Sequence, residues 1–480
     1  MRKYYYLFLA VFLLIFSLPI NSQTFDSEWS CLYATTDDGA NGTGYNTISI
    51  AVVAENDFVA LVRRGSNSTS YLVGYNDADS TSGRQGSVPY APAGRQTRWD
   101  NFFDFVLMNE ALDLAAKDDK IFVANNDAEH NILVFQWKED SVYSFPMRMA
   151  TGNQLPIWGI DVDNNGLVYV TQGGDSTSAG KVLIYDSPDN DNSWSNGHNG
   201  SPIYTIELPE NGDLRDVAVN GDGTMLYVSN YVTREVYFYE GNATSGYTRN
   251  STFSFQVNED FTTANATYVP GPWGLKYMDN KNLLFVGVDV DFFTGDGYQY
   301  GKMMVLHPQT GEILDSINVA KWNYDVTGAY DNRPNQIGTA SGYTSTFNVD
   351  FDSNNNVYSQ SYYGWTVEKW QYAGELPFID LGVSVEQLDS QIPNGFSLAQ
   401  NYPNPFNPTT TITFELNKES SVKLNIYNIA GELVQTILSS DLAAGTYKVN
   451  FDASQLSSGT YIYSLITGDQ RLTKKMTLIK

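Results

Sequence analysis

The chain is 480 residues long, more than one hydrophobic core normally serves, so two or more folding units are expected. Its single cysteine, Cys31, excludes an intramolecular disulfide and a Cys-x-x-Cys metal site, while 33 Tyr and 39 Gly with frequent Asn, Asp, Ser and Thr make an all-β composition. A formal charge of -26 repels nucleic acid phosphates and anionic lipid, and suits cations, cationic ligands or plain solubility.

Arg2 and Lys3 precede an unbroken apolar run from Tyr4 to Phe16, followed by Pro19 and the small polar residues Asn21 and Ser22. This is the pattern of a signal peptide over residues 1–22, cleaved after Ser22. A retained anchor helix is the rival reading, since the run to Ile20 approaches the lower limit for a span, but Pro19 and the missing basic cluster oppose it. Cys31 lies too far past the run to be an acylated lipoprotein cysteine, and no other stretch could span a membrane.

From residue 23 to about 383 one pattern recurs: a short apolar strand, an Asp/Asn/Gly turn, a strand containing Tyr or Phe, then a third aromatic strand. The clearest copies run from Trp158 to Tyr185 and from Leu214 to Tyr239. Others begin at Ile48, Leu112, Trp273 and Phe347. With Ala51, Asp113, Asp161, Ala218, Lys276 and Asp350 taken as equivalent, the spacings are 62, 48, 57, 58 and 74 residues, the period of four-stranded propeller blades. Fourth strands fall at Val142 to Phe145, Ile203 to Leu208, Thr252 to Val257, Ile313 to Val319 and Pro377 to Val383. Six blades are expected, with seven as the alternative if Lys321 to Tyr343 hides a degenerate blade, and Trp29 to Thr35 could lend a closing strand to the last sheet. The segment resembles NHL-type and related secreted propellers in blade pattern, which implies a fold and no activity.

Propeller ligands sit at the channel mouth, near the start of each innermost strand. The residues three before each anchor are Ile48, Glu110, Trp158, Arg215, Trp273 and Phe347. Such a ring suits stacking on a glycan or aromatic group with charge-assisted hydrogen bonds; the competing reading is a simple plug. Asp161, Asp163 and Asn165, with Gly166, fit the first half of a calcium loop, but position twelve is Gln172, so a strand-connecting turn competes with Ca there and no other cofactor is expected. His130, His198 and His307 have no ligand spacing, and no nucleophile elbow exists. A binding protein for a glycan, peptide or protein partner is therefore the leading expectation, with a metal-dependent hydrolase, lactonase or lyase as the alternative.

A polar linker, 384–394, leads to Gly395 and then Asn401-Tyr402-Pro403-Asn404-Pro405-Phe406-Asn407, whose prolines forbid helix and interior strand. Six short alternating strands follow, from Thr411 to Ile479, with turns near Gly431 and Gly459, and this pattern describes an Ig-like β-sandwich. The last 86 residues carry +1 and the first 22 carry +2, which leaves -29 for the segment between. The proline motif, the strand Val422 to Val434, the segment Ser457 to Tyr463 and the terminal Lys474-Lys475-Met476-Thr477-Leu478-Ile479-Lys480 closely resemble the C-terminal sorting domain of type IX secretion cargo, which has a FlgD-type Ig-like fold. The resemblance implies that residues 395–480 engage the type IX secretion machinery and that the mature protein is secreted or held at the cell surface, having passed through the periplasm.

Overall fold

The computed structural model describes residues 25, 28–35, 45–64, 70–79, 95–100, 108, 110–127, 130–136, 147–149, 156–175, 177–190, 200–262, 267–289, 301–322, 346–361, 366–379, 381, 385–389, 393, 395–418, 420–429, 431, 433–453, 456–468 and 470–480. The expected signal peptide, the expected strand Val142 to Phe145, His198 and most of Lys321 to Tyr343 lie outside them.

Strand β1 (Trp29–Ala34) comes first. Blade 1 is β2 (Tyr45–Ala54), β3 (Asp57–Arg64), β4 (Ser70–Asn76) and β5 (Arg95–Asp100); blade 2 is β6 (Asp113–Lys117), β7 (Lys120–Ala124), β8 (Ile132–Gln136) and β9 (Met147–Met149). Blade 3 is β10 (Ile157–Val162), β11 (Val168–Gln172), β12 (Ala179–Tyr185) and β13 (Tyr204–Asn211). Blade 4 is β14 (Leu214–Val219), β15 (Met225–Asn230) and β16 (Glu235–Asn242), with an outer strand split into β17 (Gly246–Arg249) and β18 (Phe255–Gln256). A hairpin of β19 (Phe261–Thr262) and β20 (Thr267–Tyr268) leads to blade 5, which is β21 (Gly271–Met278), β22 (Leu283–Asp289), β23 (Lys302–Leu306) and β24 (Ile313–Asn318). Blade 6 is β25 (Asn348–Phe351), β26 (Val357–Ser361) and β27 (Thr366–Tyr372), and its outer strand is β1, with Trp29 opposite Tyr372 and Ala34 opposite Glu368.

The ring thus closes by pairing its two ends in one sheet. At the edge where a fourth strand is expected from Pro377 to Val383 stands β1; residues 377–379 and 381 form no strand, and 380, 382 and 383 lie outside the described residues. Ile379 instead donates its N–H to Lys281 O (2.9 Å) on blade 5. The innermost strands β2, β6, β10, β14, β21 and β25 touch in that order, and β25 returns to β2. Since β21 and β25 are direct neighbours, no seventh blade stands between them.

Burial explains the arrangement. Among the described residues six apolar clusters sit at the six seams between blades, and a seventh fills the C-terminal unit. Each blade therefore buries both faces, which is why β14, β15 and β22 are buried along their whole length rather than on alternate residues. One aromatic per blade, in the second strand, anchors this packing: Phe58, Phe122, Tyr169, Tyr227, Phe285 and Tyr358 are all at most 2% exposed.

The inner edge of each blade leaves strand N–H groups without a ladder partner, and burying them unpaired would cost about 1–3 kcal/mol each. Five seams satisfy at least one with a side-chain oxygen from the preceding blade, and at the sixth the N–H so bonded is that of Thr346, just before β25. Leu114 N–H bonds Ser49 Oγ (3.1 Å), Ile160 N–H bonds Asp113 Oδ2 (2.9 Å) and Val219 N–H bonds Asp161 Oδ2 (2.9 Å). Leu275 N–H bonds Asp216 Oδ2 (2.7 Å), Thr346 N–H bonds Asp289 Oδ2 (2.6 Å) and Val52 N–H bonds Asp350 Oδ2 (2.7 Å).

The C-terminal unit is a sandwich of two four-stranded antiparallel sheets. One contains β28 (Val385–Asp389), β33 (Gly445–Asp452), β30 (Thr409–Leu416) and β29 (Ser397–Leu398); the other contains β32 (Leu433–Leu442), β31 (Ser420–Tyr427), β34 (Gly459–Thr467) and β35 (Gln470–Leu478). The segment read as a linker, 384–394, thus supplies β28, which covers the free edge of β33 with Val385 opposite Val449. So short a strand has no periodic signal of its own and exists because that edge is open.

Inner strands approach closely at Gly159, where an added Cβ would lie 2.4 Å from Asp216 Cα and 2.5 Å from its Oδ1. Gly159→Ala should therefore lower the unfolding free energy by about 1–3 kcal/mol in urea melts. Gly395→Ala, with no atom within 4 Å of its Cβ, is the control and should leave the midpoint unchanged.

Candidate functional site at the propeller channel

The channel is built in levels by the inner strands. In blades 1, 3, 4 and 5 the pairing register of the inner strand slips near its start: between Thr47 and Ser49, between Ile157 and Ile160, between Leu214 and Val217, and between Pro272 and Leu275. Each slip is a bulge that re-aims the residue at the mouth. The result is a cavity of about 380 Å³ that Ile48, Glu110, Trp158, Arg215, Trp273 and Phe347 all line.

Two placements differ from the expected alignment: in blade 1 the aromatic Phe58 stands opposite Val52 while Ala51 faces Val59, and the blade 2 anchor is displaced. Strand pairing sets Asp161, Ala218, Lys276 and Asp350 opposite Tyr169, Tyr227, Phe285 and Tyr358, and the blade 2 residue in that relation is Ala115, opposite Phe122. The blade 2 anchor is thus Ala115, and Asp113 stands two residues earlier. Leu112 holds the mouth position, and Glu110 stands above it as an exposed rim residue in a left-handed conformation (φ 48°). A two-residue slip keeps every side chain on its own face, so alternation could not reveal it.

At the mouth the Arg215 guanidinium lies between two indoles, its carbon 4.1 Å from the Trp158 ring centre and 4.2 Å from that of Trp273. Its Nη2 sits 2.6 Å from Asp213 Oδ2, and Phe347 meets Trp273 edge to face at 4.1 Å. This chain of contacts ties blades 3, 4, 5 and 6 together across the ring, each cation–π pair contributing about 0.5–2 kcal/mol.

One level down lie Ser49, Asp113, Asp216 and Asn348, with Gly159 and Gly274 leaving room between them. Asp113 Oδ1 accepts the Ser49 hydroxyl (2.7 Å) and Asn348 Nδ2 (3.0 Å), and the Asp113 and Asp216 carboxyl groups hydrogen-bond each other. Burial pushes Asp113 up to about 6. Burial first and the Asp113 carboxylate second hold Asp216 well above the ordinary carboxylate range.

At the next level Lys276 Nζ is 2.9 Å from Asp161 Oδ1 and 4.0 Å from Asp350 Oδ1. Burial pulls the Lys276 ammonium down, but the Asp161 and Asp350 carboxylates outweigh it and hold it well above the usual lysine value. This trio borders a second cavity of about 340 Å³ at the opposite mouth.

The calcium-loop residues have separate tasks. Asp161 belongs to the channel, whereas Asp163 Oδ1 accepts the N–H groups of Asn165 (2.8 Å) and Leu167 (2.9 Å) and its Oδ2 accepts the Tyr169 hydroxyl (3.2 Å), which fixes the turn. Asp352 repeats that pattern with Asn354, Asn356 and Tyr358. Among the described residues no three or more His, Cys, Asp or Glu side chains converge as a metal site.

In the sandwich the sorting motif is organised by Asn401, 2% exposed, whose N–H donates to Tyr463 Oη (2.8 Å) and whose Nδ2 donates to Pro403 O (3.0 Å) and Thr410 Oγ1 (2.9 Å). The Tyr402-Pro403 and Asn404-Pro405 bonds are cis, Phe406 enters the core, and Asn404 Oδ1 accepts the Thr477 N–H (2.9 Å). Tyr402 is 82% exposed, and Asn407 and Lys475 are exposed while Lys474 is half-buried. Gly431 closes its turn with a left-handed φ of 86°.

Residues 400–480 match the family described as the secretion system C-terminal sorting domain. No curated protein matches the sequence. Among solved structures the chain is similar to PorZ, an essential bacterial surface component of the type IX secretion system of Porphyromonas gingivalis, at 13% identity and a TM-score of 0.35, covering 93% of this chain and 60% of that one. It is also similar to the periplasmic gluconolactonase PpgL of Pseudomonas aeruginosa (9% identity, TM-score 0.40, 84% of this chain and 88% of that) and to a protein of unknown function from Bacteroides thetaiotaomicron (12%, 0.42, 72% and 75%). The C-terminal unit is a type IX sorting domain, and the protein is secreted or displayed at the cell surface. No helix among the described residues is long and apolar enough to cross a membrane.

The channel charges can be probed through stability. Lys276→Met leaves Asp161 and Asp350 facing each other uncompensated and should cost about 3–5 kcal/mol in unfolding free energy. Because the folded value of Asp113 is raised from 3.8 to about 6, its contribution to stability is full below the unfolded value and is lost as pH rises through about 6. Urea midpoints should therefore fall between about pH 4 and 7, and Asp216→Asn, which leaves a single carboxyl at that level, should flatten the slope.

Proposed function

We propose that the propeller is a binding module, delivered outside the cell by the sorting domain, that takes a glycan, peptide or protein ligand at the mouth formed by Trp158, Arg215 and Trp273. The observation that carries this reading is the cavity of about 380 Å³ in which two indoles, a guanidinium, Phe347 and the Glu110 carboxylate converge from five blades. Apolar surface with a few fixed polar groups is what a recognition pocket of this size requires.

The alternative of a metal-dependent hydrolase, lactonase or lyase would need channel carboxylates open to a cation. Asp113, Asp161, Asp216 and Asp350 instead each accept an N–H from the next blade, and Asp161 also holds Lys276. Those bonds support the binding reading.

A glycan and peptide array probed with the full chain should return hits that weaken at least about tenfold in the Trp158→Ala/Trp273→Ala variant, a loss of about 1.4 kcal/mol or more. Hits that survive the double variant would move the site elsewhere. Turnover of lactones or polysaccharides that a chelator abolishes would favour the enzyme.

A further inference from the structure

We propose that the group entering the mouth is a cation, a lysine ammonium or arginine guanidinium of a partner polypeptide, seated between the Glu110 carboxylate and the face of Trp158 opposite Arg215. The inference rests on the mouth being the binding site and adds the charge of what enters it.

The charges around the cavity decide the sign. Arg215 is the one cation among the described lining residues, and Asp213 meets it at 2.6 Å. Against it stand the Glu110 carboxylate at the rim and the Asp113 and Asp216 carboxyl groups below, all lining the same cavity. An anionic ligand would meet carboxylates at the rim and on the floor, whereas a cation gains from both.

Geometry decides the seat. Around the ring Trp158 of blade 3 stands between Glu110, which precedes β6 of blade 2, and Arg215 of blade 4. Arg215 covers one indole face at 4.1 Å, so the protein already uses this ring as a cation platform. Blade order sets Glu110 and Arg215 on opposite sides of Trp158 around the ring, and both line the cavity with it. A single amide links the two residues: Asn126 Nδ2 donates to Glu110 O (3.2 Å), while Asn126 Oδ1 accepts the N–H of Ile157, the residue before Trp158 (2.9 Å). That amide stabilises the left-handed φ of Glu110, a conformation that costs about 1–3 kcal/mol and that holds an acidic residue at the rim beside the indole.

A polypeptide suits the surroundings better than a small amine. The loops on the same end of the channel, those after β7 and β11, carry Asp127 and Asp175, so a segment with several basic residues meets negative charge beyond the pocket as well as inside it.

The test is titration calorimetry on the full chain with a Gly/Ser dodecapeptide carrying three lysines, matched peptides with acetyl-lysine or glutamate in their place, and a chitosan trisaccharide. The lysine peptide should bind, weaken as salt rises, and lose about tenfold or more on acetylation. Glu110→Gln should lower its affinity by a similar factor with an unchanged melting temperature. Failure of the lysine peptide to bind at low salt, or equal binding of the acetylated or glutamate peptide, overturns the proposal. Binding of chitosan without the peptide overturns the polypeptide source. If Trp158→Ala abolishes binding of whichever probe is held and Glu110→Gln does not, the mouth stands and the cation seat falls; if neither variant matters, the mouth reading falls with it.

Discussion

The interaction on which this molecule depends is the hydrogen bond from an inner-strand N–H of one blade to a side-chain oxygen of the blade before it. A propeller has no continuous sheet across its seams, so apolar packing alone would hold the blades at the right distance without setting their height. Ser49, Asp113, Asp161, Asp216 and Asp350 supply that register at five seams, and at the sixth Asp289 holds the Thr346 N–H just before β25. Directional bonds in a low-dielectric channel are suited to this, because a blade that slips leaves both a donor and a carboxylate unsatisfied.

The same device shapes the chemistry of the channel. Four of these latches, Asp113, Asp161, Asp216 and Asp350, are carboxylates that line the channel cavities, and placing them in a narrow bore requires that they be neutralised or paired. Both occur: burial raises Asp113 and Asp216 toward their neutral forms, and Lys276 sits between Asp161 and Asp350. Arg215 then caps the column, with its charge matched by Asp213 and its flat faces by two indoles. The polar mouth that could recognise a ligand is thus the top of a structural column.

The sandwich follows a different logic. Its proline motif is rigid and lies on β30 and β35 because Asn401 and Asn404 bond the backbone and side chains of those strands, while Phe406 sinks into the core. Tyr402 is left projecting into solvent from this fixed base. The unit has its own apolar cluster, distinct from the six in the ring.

Much of the site was legible in advance. Period and strand chemistry located the blades, and counting three residues back from each anchor found Ile48, Trp158, Arg215, Trp273 and Phe347, because the strand start recurs in the same place. Glu110 reached the mouth through an anchor two residues off, which only the pairing of Ala115 with Phe122 exposes. The stacking of Arg215 between two indoles, the Asp113 and Asp216 pair and the Lys276 trio join residues from different blades, far apart in the chain, and no local pattern encodes which side chains meet across a bore. The sequence by itself determined the composition of each blade, the turns between strands and the sorting motif, since these are local choices of propensity, periodicity and turn chemistry. Only the tertiary structure decided the number of blades, the strand that closes the ring and the pairing of charges in the channel, since each depends on which edges and charges ring closure brings face to face.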